Sequence, residues 1–174
     1  MTPEAFTRRA LETPVGWQVP SAEVFVFGPA SARVCVLIPV INEGERLLNQ
    51  LRRMAAMDLG ADVVIADGGS SDGSNRPEVL GGLGVRALLI KSGPGKLSAQ
   101  LRMGFAFALQ EGYEGVVTVD GNGKDGVEAI PEFVQKLRDG YGFVQGSRYM
   151  PGGRGVNTPL DRHLAVKYLH ARGI

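Results

Sequence analysis

Short apolar runs alternate along this chain with longer stretches whose apolar residues recur every three or four positions. Val34–Val40, Val63–Ala66, Val85–Ile90, Val116–Val119 and Phe143–Gln145 predict strands. Glu43–Met57 predicts a helix, with Leu47, Leu48, Leu51, Met54 and Ala55 at helical spacing. Leu97–Gln110 predicts a second, with Leu97, Leu101, Phe105 and Leu109 on its apolar face, and Gly126–Arg138 a third, with Ile130, Phe133, Val134 and Leu137. A flexible loop, Gly152–Pro159, then leads to a last helix over Leu160–His170. Strands alternating with helices of this length predict an α/β fold, a mainly parallel sheet with helices on both faces.

Residues 1–33 break that rhythm. Pro3–Leu11 predicts a short helix, with Thr2 as its cap, Pro3 at the first helical position and Pro14 ending it. Val24–Phe27 predicts a short strand stopped by Gly28-Pro29. The expected organisation is a lead-in over 1–33 packed on a domain over 34–174. Trp17 is expected to pack within the lead-in.

Three of the apolar runs lead straight into polar turns. Val34–Ile38 leads into Pro39-Val40-Ile41-Asn42-Glu43, Val63–Ala66 into Asp67-Gly68-Gly69-Ser70-Ser71-Asp72-Gly73, and Val116–Val119 into Asp120-Gly121-Asn122-Gly123-Lys124-Asp125. Ligands of open α/β sheets bind outside the carboxyl ends of the strands. Acids and amides placed there repeatedly predict one shared site for a polar ligand, although such residues also fill ordinary turns.

Size and charge narrow the field. A chain of 174 residues is one domain's worth, and one that size buries roughly 70% of its unfolded surface. With 19 basic and 18 acidic residues the formal charge is +1, against a general nucleic-acid binder. The single Cys35 lies in an apolar run and is expected to be buried and reduced. No apolar stretch reaches the roughly 18 residues that a membrane span needs. Arg8 and Arg9 are followed by no apolar segment of a secretory leader, so the expected location is cytoplasmic.

Two phosphate-binding patterns fail. Gly82-Leu83-Gly84-Val85-Arg86-Ala87 imitates a dinucleotide fingerprint but precedes a strand instead of joining a strand to a helix. Around Gly95-Lys96 a P-loop would place Gly at position 90 and Ser or Thr at 97, where this chain has Ile90 and Leu97. Lys96, just before a helix, remains open between facing an anion and solvation. Asp120, Asn122 and Lys124 project together if the strand direction persists through them. Two oxygen ligands there suit a hard cation bridging the phosphates of a nucleotide diphosphate, and Lys124 could neutralise the same charge. His163 and His170 fall on one face of the last helix, without the acid or Cys neighbours that a metal pair needs.

Val36–Glu43, Asp67–Ser74, Gly95-Lys96, Val119–Asn122 and Gly146-Ser147-Arg148-Tyr149 stand in an order and spacing that resembles the family 2 glycosyltransferases, over about 34 to 162. The branch it resembles is the dolichyl- or polyprenyl-phosphate sugar transferases. The resemblance implies the GT-A fold, a Rossmann-like sheet, and inverting transfer from a nucleotide-diphosphate sugar. It implies that Pro39, Asn42, Glu43 and Asp67 cradle base and ribose, that Val40 and Gly69 also bind the substrate, and that Lys96 lies near the nucleotide. Asp120 and Asn122 take the place of the family's Asp-x-Asp motif for Mg²⁺ or Mn²⁺, with Asn122 a neutral, weaker ligand than the usual Asp. Arg148 takes the place of a phosphate-contacting Arg, and Arg154 would assist it beside a Gly152–Gly155 hinge. Asp120, Lys124 and Arg148 are the catalytic candidates. Asp67-Gly68 stands where the family has an acidic pair. The segment that in the family follows position 174 and builds much of the acceptor site is not in this sequence, so part of that region is expected to be lacking. The implied partners are a nucleotide-diphosphate sugar and a lipid phosphate at the membrane surface, with no nucleic acid and with a homo-oligomer left open. A non-catalytic nucleotide-binding domain, or an inactive fragment of a longer transferase, is the alternative.

Overall fold

A computed structural model describes residues 6–147. The elements, in chain order, are β1 (Thr7–Ala10), β2 (Ala22–Val26), β3 (Val34–Val40), α1 (Glu45–Ala55), β4 (Asp62–Asp67), α2 (Pro77–Gly81), β5 (Val85–Lys91), α3 (Leu97–Gln110), β6 (Gly115–Thr118), a 3₁₀ turn (Val127–Ala129) and α4 (Ile130–Arg138). The chain divides into a unit ending at Gly142 and a second beginning at Phe143, and these elements all belong to the first.

One 6-stranded sheet runs β1-β2-β5-β4-β3-β6. Strands β5, β4, β3 and β6 are parallel, and β2 and β1 extend the sheet antiparallel beyond β5. From β3 the chain steps outward to β4 and β5, then returns to place β6 on the other side of β3. The winding therefore reverses between β3 and β6, and open sheets bind ligands at the carboxyl ends flanking such a reversal.

Period-two alternation assigns β3 to two cores. Val36 and Ile38 join Leu47, Leu51 and Met54 of α1, Leu80 of α2, and Ile130 and Val134 of α4 on one face. Cys35 and Leu37 join Met103 and Phe107 of α3 on the other. Each large side chain so buried contributes about 1.5–3 kcal/mol. The expected α/β sheet covered on both faces is therefore the observed one. Among the described residues, no helix is long and apolar enough to cross a membrane.

Three local expectations are overturned. Thr7–Ala10 is an edge strand, not part of a helix over Pro3–Leu11. Its ladder to β2 and the edge-to-face packing of Phe6 on Phe25 and Phe27 outweigh the weak helix propensity of so short a segment. Helix α3 buries the opposite face from the one predicted. Leu97, Phe105 and Leu109 are 51%, 40% and 64% exposed, whereas Ala99, Gln100, Met103, Gly104, Ala106, Phe107 and Ala108 are buried. The cause is close approach: a Cβ at Gly104 would lie 2.3 Å from Leu37 Cδ1, so the small-residue side is the one that reaches the sheet. Phe143–Gln145 is not a strand; three residues carry too little ladder to define one without a paired neighbour. Trp17 is 46% exposed and anchors no core, while Cys35 is buried as expected.

Candidate functional site at the carboxyl edge of the sheet

The three polar turns lie together because β4, β3 and β6 are adjacent and parallel, so their carboxyl ends form one edge. The first two are joined directly. Gly68 N–H donates to Val40 O at 2.8 Å. Asn42 N–H donates to Ser70 Oγ at 2.9 Å, and Asn42 Oδ1 accepts from Ser71 N–H at 2.8 Å. Asn42 holds this two-point contact with φ at +53°, a left-handed conformation that Asn tolerates better than bulkier residues.

Asp67 is fully buried and turned into its own loop. Its Oδ2 accepts from Gly69 N–H at 2.8 Å, Ser70 N–H at 2.9 Å and Asn75 Nδ2 at 3.1 Å, and its Oδ1 accepts from Ser70 Oγ. A buried carboxylate persists when its lone pairs are filled in this way. Asp67 thus shapes the loop that presents Gly69 and Ser70. Asp72 at the same loop is exposed, and donors from Ser74 hold its carboxyl below the ordinary value.

Glu43 is half-buried, with Arg46 Nη2 3.0 Å from its Oε2. That oxygen is enclosed, and the contact lacks hydrogen-bond direction, leaving it without a hydrogen-bond partner. Buried polar atoms in native folds are rarely left so. Pro39 and Val40 close β3 beneath it.

At the third turn, β6 ends at Thr118, and Asp120–Gly123 is a tight turn, not a continued strand. The alternation expected to align Asp120, Asn122 and Lys124 is therefore absent. Asp120 and Asn122 still meet, Asn122 Nδ2 lying 3.4 Å from Asp120 Oδ2, while Asn122 Oδ1 accepts from Lys124 N–H at 3.0 Å. Lys124 and Lys96 are exposed, Lys96 at the start of α3. Gly121 packs under the end of β3, where a Cβ would come within 2.4 Å of Val40 Cγ1. Among the described residues there is no group of three or more His, Cys, Asp or Glu able to cage a metal. One carboxylate with one amide fits only a cation whose remaining ligands come from substrate phosphates, the usual manner of Mg²⁺ binding. Arg148 and Arg154, the Gly152–Gly155 hinge, the Leu160–His170 helix, His163 and His170 lie outside the described residues.

Two residues of the site were missed in the sequence. Gln50 of α1 and Gln100 of α3 are 1% and 4% exposed. Gln50 Nε2 donates to Asp120 O at 3.0 Å, and its Oε1 accepts from Gly123 N–H at 2.9 Å. Gln100 Nε2 donates to Val40 O at 2.6 Å and Ala66 O at 3.0 Å. The available signal was a polar residue on a core-facing stripe: Gln50 between Leu47 and Leu51, and Gln100 three and four residues before Met103 and Gly104.

Fold and site together define an open, Rossmann-like α/β sheet whose carboxyl edge gathers three polar turns beside the reversal between β3 and β6. Comparison with known proteins is narrower. The chain is 31% identical over 137 residues to an undecaprenyl-phosphate mannosyltransferase of Micrococcus luteus, covering 76% of this chain and 55% of that protein. It is 28% identical over 138 residues to a polyprenol monophosphomannose synthase of Mycolicibacterium smegmatis, covering 78% and 52%. It is 30% identical over 139 residues to a dolichol-phosphate mannosyltransferase of Pyrococcus furiosus, covering 78% and 38%. The chain thus spans about half the length, or less, of these relatives. No protein-family model and no solved structure matches it. The chain belongs to the family 2 glycosyltransferases, on the polyprenyl-phosphate sugar transferase branch.

Proposed function

We propose that this chain binds a nucleotide-diphosphate sugar at the carboxyl edge of β3, β4 and β6, and that the protein it forms transfers the sugar, with inversion, to a polyprenyl phosphate. The observation that carries the reading is the junction of three polar turns at the sheet reversal, in a chain whose relatives are named for such transfers. Base and ribose lie against Pro39–Glu43 and the Asp67–Ser71 loop, with Glu43 Oε2 accepting a ribose hydroxyl. The diphosphate lies over the Asp120–Gly123 turn, with Lys96 and Lys124 offsetting its charge. A Mg²⁺ or Mn²⁺ ion between Asp120, Asn122 and the phosphates would stabilise the departing diphosphate as the sugar–phosphate bond breaks. A phosphate acceptor is already an anion and attacks the anomeric carbon from the opposite face without a general base. Arg148 and Arg154 are assigned to the acceptor phosphate on sequence alone. A lipid acceptor places the protein peripherally at a membrane surface.

Calorimetry with GDP, UDP and dTDP, each with and without Mn²⁺, tests the donor half. Binding of one of them, weakened in Asp120→Ala, is the expected result, and binding of none would end the reading. Donor binding without transfer is the second reading, favoured by the match to only about half of the Micrococcus and Mycolicibacterium relatives. Release of free sugar or of a polyprenyl-phosphate sugar from a bound donor separates the two.

A further inference from the structure

We infer that Gln50 is a positioning residue for the turn that carries Asp120 and Asn122; this rests on the reading that the turn receives the diphosphate. The two backbone groups that Gln50 holds, Asp120 C=O and Gly123 N–H, bracket both side chains. A primary amide sets an N–H donor and a carbonyl acceptor side by side in a single plane, so one rotamer makes both bonds and fixes the height and tilt of the turn. The orientation of the amide is not ambiguous, because a carbonyl must accept and an N–H must donate.

The location of Gln50 supports a dedicated role. It stands on the buried stripe of α1 with Leu47, Leu51 and Met54, where a Leu or Met would fill the space without the cost of desolvating an amide. Both polar atoms of that amide are spent on the turn. A further link, Asp125 Oδ2 accepting from Asp120 N–H at 3.1 Å, is exposed and comes from within the same loop. Gln50 therefore ties the turn to the body of the fold. Gln100 is its counterpart for the other two turns, bridging the Val40 carbonyl that ends β3 and the Ala66 carbonyl one residue before the end of β4. The site thus divides into a nucleoside half registered by Gln100 and a diphosphate half registered by Gln50.

The test uses Gln50→Met, close in volume but unable to make either bond, and Gln50→Glu, which keeps the acceptor for Gly123 N–H and loses the donor to Asp120. Three quantities are read: amide hydrogen exchange at Gly123 in ligand-free protein, the Kd for whichever of GDP, UDP or dTDP the wild type binds with Mn²⁺, and the Kd for the matching nucleoside. In Gln50→Met, Gly123 exchange accelerates and the diphosphate Kd rises by about tenfold or more, the range seen when groups that orient a metal ligand are removed. The nucleoside Kd stays within about twofold of wild type on the same reasoning. Gln50→Glu retains Gly123 protection and loses less affinity. Unchanged Gly123 exchange overturns the inference, as does an equal weakening of nucleoside and nucleoside diphosphate. If wild-type protein binds no nucleoside diphosphate, the functional reading fails on its own, and Gly123 exchange alone decides whether Gln50 holds the turn.

Discussion

The two edges of the parallel sheet both enclose polar side chains, but they spend them differently. At the amino edge Asp62 is spent within the fold and Arg86 is half-spent, its Nη2 on Glu111 and its Nε and Nη1 without hydrogen-bond partners. Asp62 accepts from Tyr113 OH at 2.7 Å, from Ser31 N–H at 3.0 Å, from Ser31 Oγ and from Ala32 N–H at 3.3 Å. Arg86 pairs with Glu111 and lies over the rings of Phe107 and Tyr113, 5.5 Å from each centroid. At the carboxyl edge, neutral amides hold the backbone, through Gln50, Gln100 and Asn42, and Asp67 is spent on its own loop, while the Asp120 side chain stays exposed. Asp62 is satisfied by its own fold, whereas Asp120 is held through its backbone carbonyl and keeps its carboxylate exposed. Hollow volume alone would mislead, because a cavity of about 550 Å³ lined by Leu51, Met54, Asp58, Gly60, Leu83 and Arg138 opens at the amino edge.

The sharpest way to break the contrast is to remove one carboxylate from each edge. Asp120→Ala should lower sugar transfer by at least about 10²-fold, the loss typical of a group that stabilises transition-state charge. Its unfolding free energy should stay within about 0.5 kcal/mol of wild type, as for an exposed side chain. Asp62→Ala should do the reverse. It strands the Tyr113 hydroxyl and the Ser31 donors, costing about 3 kcal/mol by urea denaturation, with donor affinity of the folded fraction retained. A stability loss in Asp120→Ala matching that in Asp62→Ala would erase the distinction. Gly104→Ala tests the packing beneath α3: its Cβ would sit within 2.3 Å of Leu37 Cδ1, and overpacking of this kind costs about 1–3 kcal/mol.

Acid separates the edges more gently. Burial pushes the Asp62 carboxyl up, but hydrogen bonds from Ser31, Tyr113 and the Ser31 and Ala32 amides outweigh it and hold the carboxyl below the ordinary value. In the unfolded chain Asp takes up a proton near pH 3.9. Below that the unfolded state binds more protons than the folded one, so this contribution is full above about pH 4 and is lost as pH falls through the folded value. Asp62→Asn should flatten that part of the acid-unfolding curve. The smallest expected effect concerns Cys35. Burial first, and then the nearby Asp62 charge, push its thiol up to about 12. A thiol reagent at pH 8 should label it only as fast as the protein unfolds, and rapid labelling of folded protein would contradict the burial.

The same division explains what the sequence made legible. Strand runs such as Val34–Val40 announce themselves because both faces are buried, and the three polar turns follow directly from where those runs stop. Edge strand Thr7–Ala10 has the sequence of a short helix because its exposed side chains carry no burial pattern, and its identity comes from pairing with β2. The stripe Leu97, Leu101, Phe105 and Leu109 has ideal helical spacing, yet α3 buries the face that carries Met103, Gly104 and Phe107, since Gly104 lets the backbone approach Leu37 closely. Spacing alone suggests one face and steric fit chooses the other. Asn42, Glu43, Asp67 and Asp120 were visible because they stand in turns. Gln50 and Gln100 are hard to read from sequence, because their partners are backbone groups far along the chain.

The central claim is that the turns after β3, β4 and β6 form one nucleotide-diphosphate site. Backbone amide chemical shifts during titration with the nucleoside diphosphate that binds measure this directly. Shifts concentrated at Asn42–Glu43, Gly68–Ser71 and Asp120–Gly123, with the amino-edge residues Asp58–Asp62 unmoved, are the predicted result. Shifts confined to one of those turns, or gathered around Asp58–Asp62, would contradict it.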